Sequence, residues 1–285
     1  MMNLPIKLRK QTTFCTPKGP SFSRAQAISF SIEGTRIQLR VPRHRPGIVR
    51  SEESVHPRKQ YDASSIFFTT YPKDFVVDDS WRYFTLMYRS WGFYGPWFTG
   101  LLAEMSMSLT LLTPKEPKTG VSFFHPRAFE QSVGDFISCQ YAKSMSHGRS
   151  KWIAPLNWQP ISSLPCVAAR FDVMPDQEIN PAYSLYEYLF FPISDQYLIE
   201  VRFRPMQLMN DSLSERDKLI DRSTMAQLRD DIINSLQITL SPAAAAQQAK
   251  ALEGLTDTSL RKEFPPMKWT TPEQDAEWEA YVRDL

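Results

Sequence analysis

Cysteine and histidine are both scarce in this sequence, and their spacing excludes several kinds of chemistry. The 285 residues include three cysteines, Cys15, Cys139 and Cys166. An odd number of widely separated cysteines fits neither a disulfide framework nor a zinc-binding motif. The histidines also lack metal-ligand spacing; they are His44, His56, His125 and His147. We therefore expect reduced thiols and no bound metal.

Glycine is also rare, at ten residues, and the motifs that depend on it are missing. The sequence contains no Gly-x-Gly-x-x-Gly, no phosphate-binding loop and no Gly-x-Ser-x-Gly. It therefore predicts no nucleotide cofactor, and we expect no cofactor of any kind. The remaining enzyme hypothesis is a dyad of Cys139 and His147. Because Cys139 falls near the buried face of a predicted helix, a structural thiol is the favoured interpretation.

The chain also lacks a charge imbalance and a long apolar run. Its 33 Lys and Arg residues nearly balance 31 Asp and Glu residues, which leaves a net charge of +2. This balance provides no field that would steer the whole molecule toward nucleic acid. The run from Ser90 to Ala103 is shorter than the ~20 residues that span a bilayer. Residues 1–10 lack the features of a signal peptide, so we expect a cytoplasmic protein.

Alternating apolar residues predict several strands, and turn residues between them predict hairpins. The pattern from Leu101 to Leu111 has a period of two, which predicts one apolar face and one mostly polar face. Paired strand patterns around turn residues predict two hairpins, Ile28–Ile32 with Arg36–Val41 and Tyr183–Phe191 with Gln196–Arg204. Further strands are expected at Cys166–Val173 and Gln237–Leu240.

Helical periodicity appears in three parts of the chain. It predicts a helix at Arg127–Tyr141, with His125 and Pro126 as a start signal, and another at Arg222–Ser235. From Ser241 onward the composition predicts an appended helix, a proline-containing connector and a last helix. The sequence therefore predicts an α+β fold, a mainly antiparallel sheet with packed helices. We expect one elaborated domain at 1–240 and a helical C-terminal extension at 241–285, with two smaller domains as the alternative.

The order of elements in 166–240 resembles the second half of the PsbP-like α/β sandwich. The residues that carry the resemblance are Phe191-Pro192-Ile193-Ser194-Asp195 with the strand to Arg204, followed by Asp231-Ile232-Ile233-Asn234-Ser235-Leu236. DcrB-like proteins and the chaperones of type VI secretion effectors belong to this group. The resemblance implies a sandwich fold and a binding or scaffold role in place of catalysis, although a shared fold does not establish a shared function.

Two segments are candidates for contact with a partner. The first has five aromatic residues among two glycines and a proline: Trp91, Phe93, Tyr94, Trp97 and Phe98. Aromatic side chains on a turn supply a large contact area at a small entropic cost, although they also fit a plug at the end of a sheet. The second segment is a basic loop with Arg43 and Arg45, which could contact acidic groups or simply remain solvated.

Together these patterns favour a non-catalytic protein-binding module. The role expected from the resemblance is an adaptor, chaperone or immunity-type protein of a bacterial secretion system. The sheet would act as a platform, the aromatic residues would fill apolar pockets of a protein partner, and Arg43 and Arg45 would set its orientation. Two alternatives stay open: an enzyme with an unrecognised site, and a peripheral membrane protein that places the aromatic segment at the headgroup boundary.

Overall fold

A computed structural model describes residues 12–47, 54–55, 60–70, 80–96, 98–116, 119–146, 148–179, 181, 183–209 and 211–283. Within these residues the chain forms two β-sheets, a two-stranded ribbon and a set of helices. Most strand pairs are antiparallel. The predicted α+β fold, with a mainly antiparallel sheet and packed helices, is confirmed.

The strands are divided between a seven-stranded and a four-stranded sheet. In chain order they are β1 (Gln26–Ile32), β2 (Thr35–Val41), β3 (Ser54–Val55), β4 (Gln60–Tyr61), β5 (Trp81–Tyr94), β6 (Leu101–Pro114), β7 (Met145–Ser146), β8 (Arg149–Ser150), β9 (Trp152–Pro160), β10 (Ala169–Pro175), β11 (Tyr186–Pro192), β12 (Leu198–Gln207) and β13 (Gln237–Thr239). The larger sheet has the order β3-β5-β6-β12-β11-β10-β9 and is antiparallel throughout. The smaller has the order β13-β2-β1-β4, and its β1 and β4 are parallel.

Six α-helices lie in the described residues. They are α1 (Ala63–Thr70), α2 (Pro126–Tyr141), α3 (Leu213–Asp217), α4 (Ser223–Asn234), α5 (Pro242–Leu252) and α6 (Pro272–Arg283). A side-chain cap begins three of them, α2, α3 and α5. The His125 side chain accepts a hydrogen bond from the N–H of Arg127 and so caps α2, and Ser241 caps α5 in the same way. The predicted helices at 127–141 and 222–235 are confirmed, as are the two helices of the C-terminal extension.

The first hairpin forms because its turn residues accept a left-handed backbone. Glu33 and Gly34 have φ angles of 49° and 78°, the signs required by the tight turn that suits the twist of two antiparallel strands. The register that follows places Ile37, Leu39 and Val41 on one buried face. The second predicted hairpin, β11 with β12, is also present.

Two apolar cores lie on opposite faces of the seven-stranded sheet. The first core contains Ile37 of the smaller sheet, Leu189 of β11 and Leu228 of α4. The second contains Phe136 of α2 and Phe190 of β11. Because alternate residues of a strand point to opposite faces, β11 supplies neighbouring residues to different cores. The centre of the large sheet is therefore covered on both sides.

Because both faces of the sheet are covered, the prediction that one face of β6 is exposed to solvent is wrong. The sequence pattern predicted one exposed polar face, but Glu104, Ser108 and Thr110 are all buried, each with at most 4% of its surface exposed. The alternation itself is present, since Met105, Met107 and Leu109 enter the first core. The polar side was assigned to solvent because nothing in a local pattern reveals that the sheet is covered on its second face.

The connector between α5 and α6 packs against α2 and β9. Leu260 is buried in the second core, and Trp158 of β9 donates its indole N–H to the carbonyl of Arg261 at 2.9 Å. The N–H of Met267 bonds to the carbonyl of Ala154 at 2.7 Å, and the Trp269 indole bonds to Ser138 at 3.2 Å. In the described residues the extension is therefore attached to the sheet rather than projecting from it.

Candidate functional site

The predicted aromatic cluster is divided by the strand that runs into it. Strand β5 continues to Tyr94, so alternation directs Trp91 and Phe93 into the first core, where they are 0% and 1% exposed. The Trp91 indole donates a hydrogen bond to the carbonyl of Arg43 at 2.9 Å. Both side chains lie away from the surface, so these two of the five candidate residues are not available to a partner and instead fit the alternative of a plug at the end of the sheet. Trp97 lies outside the described residues.

Tyr94 and Phe98 do lie on the surface, at the turn between β5 and β6. Their side chains are 40% and 68% exposed. We call residues 94–101 the aromatic turn. It is closed by a hydrogen bond from the N–H of Gly95 to the carbonyl of Gly100 at 2.9 Å, and by one from the N–H of Thr99 to the carbonyl of Pro96 at 3.2 Å.

The backbone of Phe98 is strained. Its φ angle is +61°, in the left-handed region that glycine and asparagine adopt readily and that other side chains resist. A large apolar side chain is thus held in water on a backbone conformation that disfavours it. Strained residues of this kind cluster at functional sites, because a rigid surrounding structure must hold them in place.

The fold brings basic residues to the same end of the sheet. Lys18 forms two backbone hydrogen bonds with Tyr94, at 2.8 and 2.9 Å, along the edge of β5 opposite β6. On the same edge, Arg45 bonds through its backbone to Ser90 and Gly92, at 2.9 Å each. The side chains of Lys18, Arg43 and Arg45 are exposed. The two predicted segments, about fifty residues apart in the chain, therefore meet along one strand.

A second polar cluster was not identified from the sequence. Arg202 and Arg204 point from β12 to the second-core face of the sheet, beyond the end of α2. Their guanidinium carbons lie 5.8 and 5.5 Å from the centre of the Tyr186 ring, within the range of cation–π attraction. The Nε of Arg202 lies 3.5 Å from Oε1 of Glu200. The sequence does contain a signal for this cluster. Glu200, Arg202 and Arg204 are spaced two residues apart on one strand, which places their side chains on the same face.

Buried groups lie beneath this cluster. The hydroxyl groups of Tyr141 and Tyr188 are hydrogen-bonded to each other, and burial raises the pKa of both. Burial likewise raises the pKa of the Glu200 carboxyl, and the charge of Arg202 opposes this shift. The floor of the cluster is therefore a low-dielectric environment in which charges interact strongly.

A groove of about 460 Å³ lies between the α3–α4 region and the first-core face of the sheet, near β10 and β11. Its ionic groups are paired with one another. Asp217 binds Arg222 at 2.8 Å, Asp172 accepts a hydrogen bond from Asn157 at 2.7 Å, and Glu187 pairs with Arg229 of α4. Burial raises the pKa of Asp172. Of these three contacts, the last joins α4 to the sheet, the first lies within the α3–α4 region and the second joins β9 to β10.

The hypothesis of a Cys139 and His147 dyad stays untested, because one of its two residues falls outside the part of the chain that the structure describes. Cys139 is partly buried against the second core, and His147 lies outside the described residues. Among the residues that the structure describes, no group of three or more His, Cys, Asp or Glu side chains is arranged to hold a metal ion. No described helix is both long and apolar enough to cross a membrane.

Comparison of the chain with protein-family models and with curated proteins finds no match. The resemblance to the PsbP-like sandwich therefore stays a prediction. The aromatic turn and the arginine cluster are interpreted below from their own geometry.

Proposed function

We propose that this protein is a non-catalytic binding module that holds another protein through its aromatic turn. The observation that carries the proposal is Phe98, which is 68% exposed on a left-handed backbone. Strain of the backbone costs free energy of folding, and the exposed ring returns none of it because most of its apolar area stays in water. A glycine or asparagine at this position would avoid the strain. Contact with a partner gives a reason to keep phenylalanine, because the partner removes the apolar surface of the ring from water when the complex forms.

The geometry of the turn suits recognition of an apolar segment with acidic neighbours. Tyr94 and Phe98 are the apolar anchors, and the turn that carries them is closed by hydrogen bonds on a rigid sheet. A preformed turn loses little entropy on binding, which favours affinity. Lys18, Arg43 and Arg45 are exposed along the strand that leads to the anchors, so carboxylates on the partner would orient it and speed association.

The more specific role that we propose is an adaptor, chaperone or immunity-type protein of a bacterial secretion system, acting in the cytoplasm. The support is the resemblance of residues 166–240 to the PsbP-like sandwich. A module built from two sheets and their covering helices provides a stable platform for such a role. This part of the proposal depends on the resemblance, whereas the contact through Phe98 does not.

The experiment that tests the contact compares two asparagine variants in capture from cell extracts. Phe98→Asn removes the ring and keeps a residue that tolerates the left-handed backbone. Tyr183→Asn is the matched control, because Tyr183 is also an exposed aromatic residue, at 51%, and lies outside the aromatic turn. We expect wild type and Tyr183→Asn to retain the same protein and Phe98→Asn to lose it.

Equal capture by all three proteins would remove the aromatic turn from the proposed role. A parallel flotation assay with anionic vesicles distinguishes a protein partner from a membrane surface. The assay is needed because either one would contact Phe98. Flotation that depends on Phe98 at low salt would reassign the turn to a lipid surface.

A further inference from the structure

We infer that Arg202 and Arg204 form a binding site for a small oxyanion, a carboxylate or a phosphate group. The site lies on the second-core face of the sheet and is separate from the aromatic turn. It does not depend on the proposed function. The argument rests on strand register, on the fixed positions of the two guanidinium groups and on an imbalance of charge around them.

Strand register puts the two arginines side by side above a row of hydroxyl groups. Arg202 lies between Tyr188 on β11 and Ser108 on β6, and Arg204 lies beside Ser106 on β6. Residues two apart on a strand point to the same face. The Arg202 side chain keeps 42% of its surface exposed, so the outer edge of the pair is accessible from solvent.

Both guanidinium groups are held in place before any ligand arrives. The Tyr186 ring contacts both, the hydroxyl group of Tyr188 is hydrogen-bonded to Arg202, and the Glu200 carboxylate lies 3.5 Å from the Nε of Arg202 without a hydrogen bond to it. Arginine side chains normally lose much rotational freedom on binding. Since these contacts have already restricted the two side chains, an anion can bind their remaining N–H groups at a smaller entropic cost.

The charges around the pair do not balance. Glu200 is the single carboxylate that pairs with Arg202, and Arg204 makes no ion pair or hydrogen bond with any residue that the structure describes. Its Nε is buried, as is the hydroxyl oxygen of Ser108, and neither atom has a hydrogen-bond partner in the described chain. Buried donors are rarely left in this condition.

Two other buried or half-buried arginines have hydrogen-bond or ion-pair partners for their guanidinium groups, as is usual. Arg89 donates to the carbonyls of Val41 and Pro42, at 3.0 and 2.6 Å, and Arg229 pairs with Glu187 and Asp230. Arg204 differs from both. One carboxylate for two guanidinium groups leaves a net charge of +1, which a carboxylate or a singly charged phosphate would neutralise. The ligand would accept hydrogen bonds from both arginines, with Ser106 beside Arg204 as a further donor.

The test is a thermal-unfolding titration of the full-length protein at constant ionic strength. Sodium phosphate, sodium acetate and sodium chloride are the three probes, and chloride serves as the control for screening. We expect phosphate or acetate to raise the midpoint of unfolding of the wild type in a saturable way. The anion whose effect saturates at the lower concentration, phosphate or acetate, shows whether the site prefers a phosphate group or a carboxylate. In Arg204→Gln the apparent affinity should fall about tenfold or more, because a charged hydrogen-bond donor is lost.

Arg36→Gln is the matched control, since Arg36 is an exposed arginine on the smaller sheet, and it should respond like wild type. A rise that chloride matches, or that Arg204→Gln retains in full, would overturn the site. So would a wild type that responds to neither oxyanion. If Arg204→Gln folds poorly, Arg204→Lys keeps the charge without the planar fork, and it should bind more weakly than wild type. Binding of Arg204→Lys at full wild-type affinity would also contradict the proposal.

Discussion

At the scale of single residues, identical side chains have opposite positions because one lies in a strand and the other in the turn that follows it. Phe93 and Phe98 are five residues apart, yet Phe93 is buried in the first core and Phe98 is exposed. The sequence identified the aromatic cluster but not its division, since the end of β5 depends on pairing with β6. The arginine cluster was missed for a similar reason, because Tyr186 and Arg204 meet only across neighbouring strands.

The sequence also predicted reduced, buried thiols, and Cys166 provides a test. Burial raises the pKa of its thiol to about 12, from an ordinary value of 9.0. At pH 8 only about one molecule in ten thousand would carry the reactive thiolate. We expect iodoacetamide to modify Cys139, which is partly exposed, well before Cys166. Mass spectrometry of peptides from the native protein and from protein in denaturant gives the rates.

The same shift predicts a pH dependence with a definite sign. Because the thiol is harder to ionise in the folded state, its contribution to stability is complete below pH 9. That contribution is lost as the pH rises from about 9 toward 12. Native modification of Cys166 as fast as Cys139 at pH 8 would show that the thiol is not buried.

At the scale of elements, the parts predicted well are those whose pattern is local. The hairpins and helices α2 and α4 follow from alternation, helical periodicity and turn or capping residues within each segment. Strand β9 was missed, because its Pro155 and Pro160 hide the strand pattern and its position is set by pairing with β10. The burial of the second face of β6 was missed because residues distant in the chain cover it; the N–H of Gly47, for example, donates a hydrogen bond to the Glu104 carboxylate at 3.0 Å.

Gly134 lies inside helix α2, where the presence of a residue with low helix propensity is explained by contact with a segment distant in the chain. Glycine lowers helix stability by roughly 1 kcal/mol relative to alanine. Here a Cβ at position 134 would lie 2.9 Å from the end of Met267 and 3.5 Å from Phe264, both in the connector. The absence of a side chain gives the connector room to pack on α2.

We therefore predict different effects of two substitutions at this position. Gly134→Leu should destabilise the protein by about 1–3 kcal/mol, since the larger side chain overpacks the contact with Met267 and Phe264. Gly134→Ala should be nearly neutral, because the Met267 methyl group can move and alanine favours the helix. Urea unfolding measures both. Gln131→Leu, on the exposed face of the same helix, is the control. A wild-type unfolding curve for Gly134→Leu would mean that the connector does not pack there.

At the scale of the whole molecule, the sheet connects the two proposed contact regions without merging them. Strand β6 pairs with β5, which carries Tyr94 of the aromatic turn, and with β12, which carries Arg202 and Arg204. Partner contact and anion binding can therefore be removed separately, by Phe98→Asn and Arg204→Gln. Two sheets and a helical layer support both regions, which is consistent with the binding role proposed above.

The central claim is that Phe98 is retained for contact at the expense of folding stability, and urea unfolding of Phe98→Asn tests it most directly. Asparagine tolerates the left-handed backbone, so we predict that the free energy of unfolding rises by about 1 kcal/mol. Phe98→Ala keeps the strained backbone without the ring and should show no such gain. If Phe98→Asn is instead less stable than wild type, the ring supports the fold itself, and the proposed reason for its exposure is wrong.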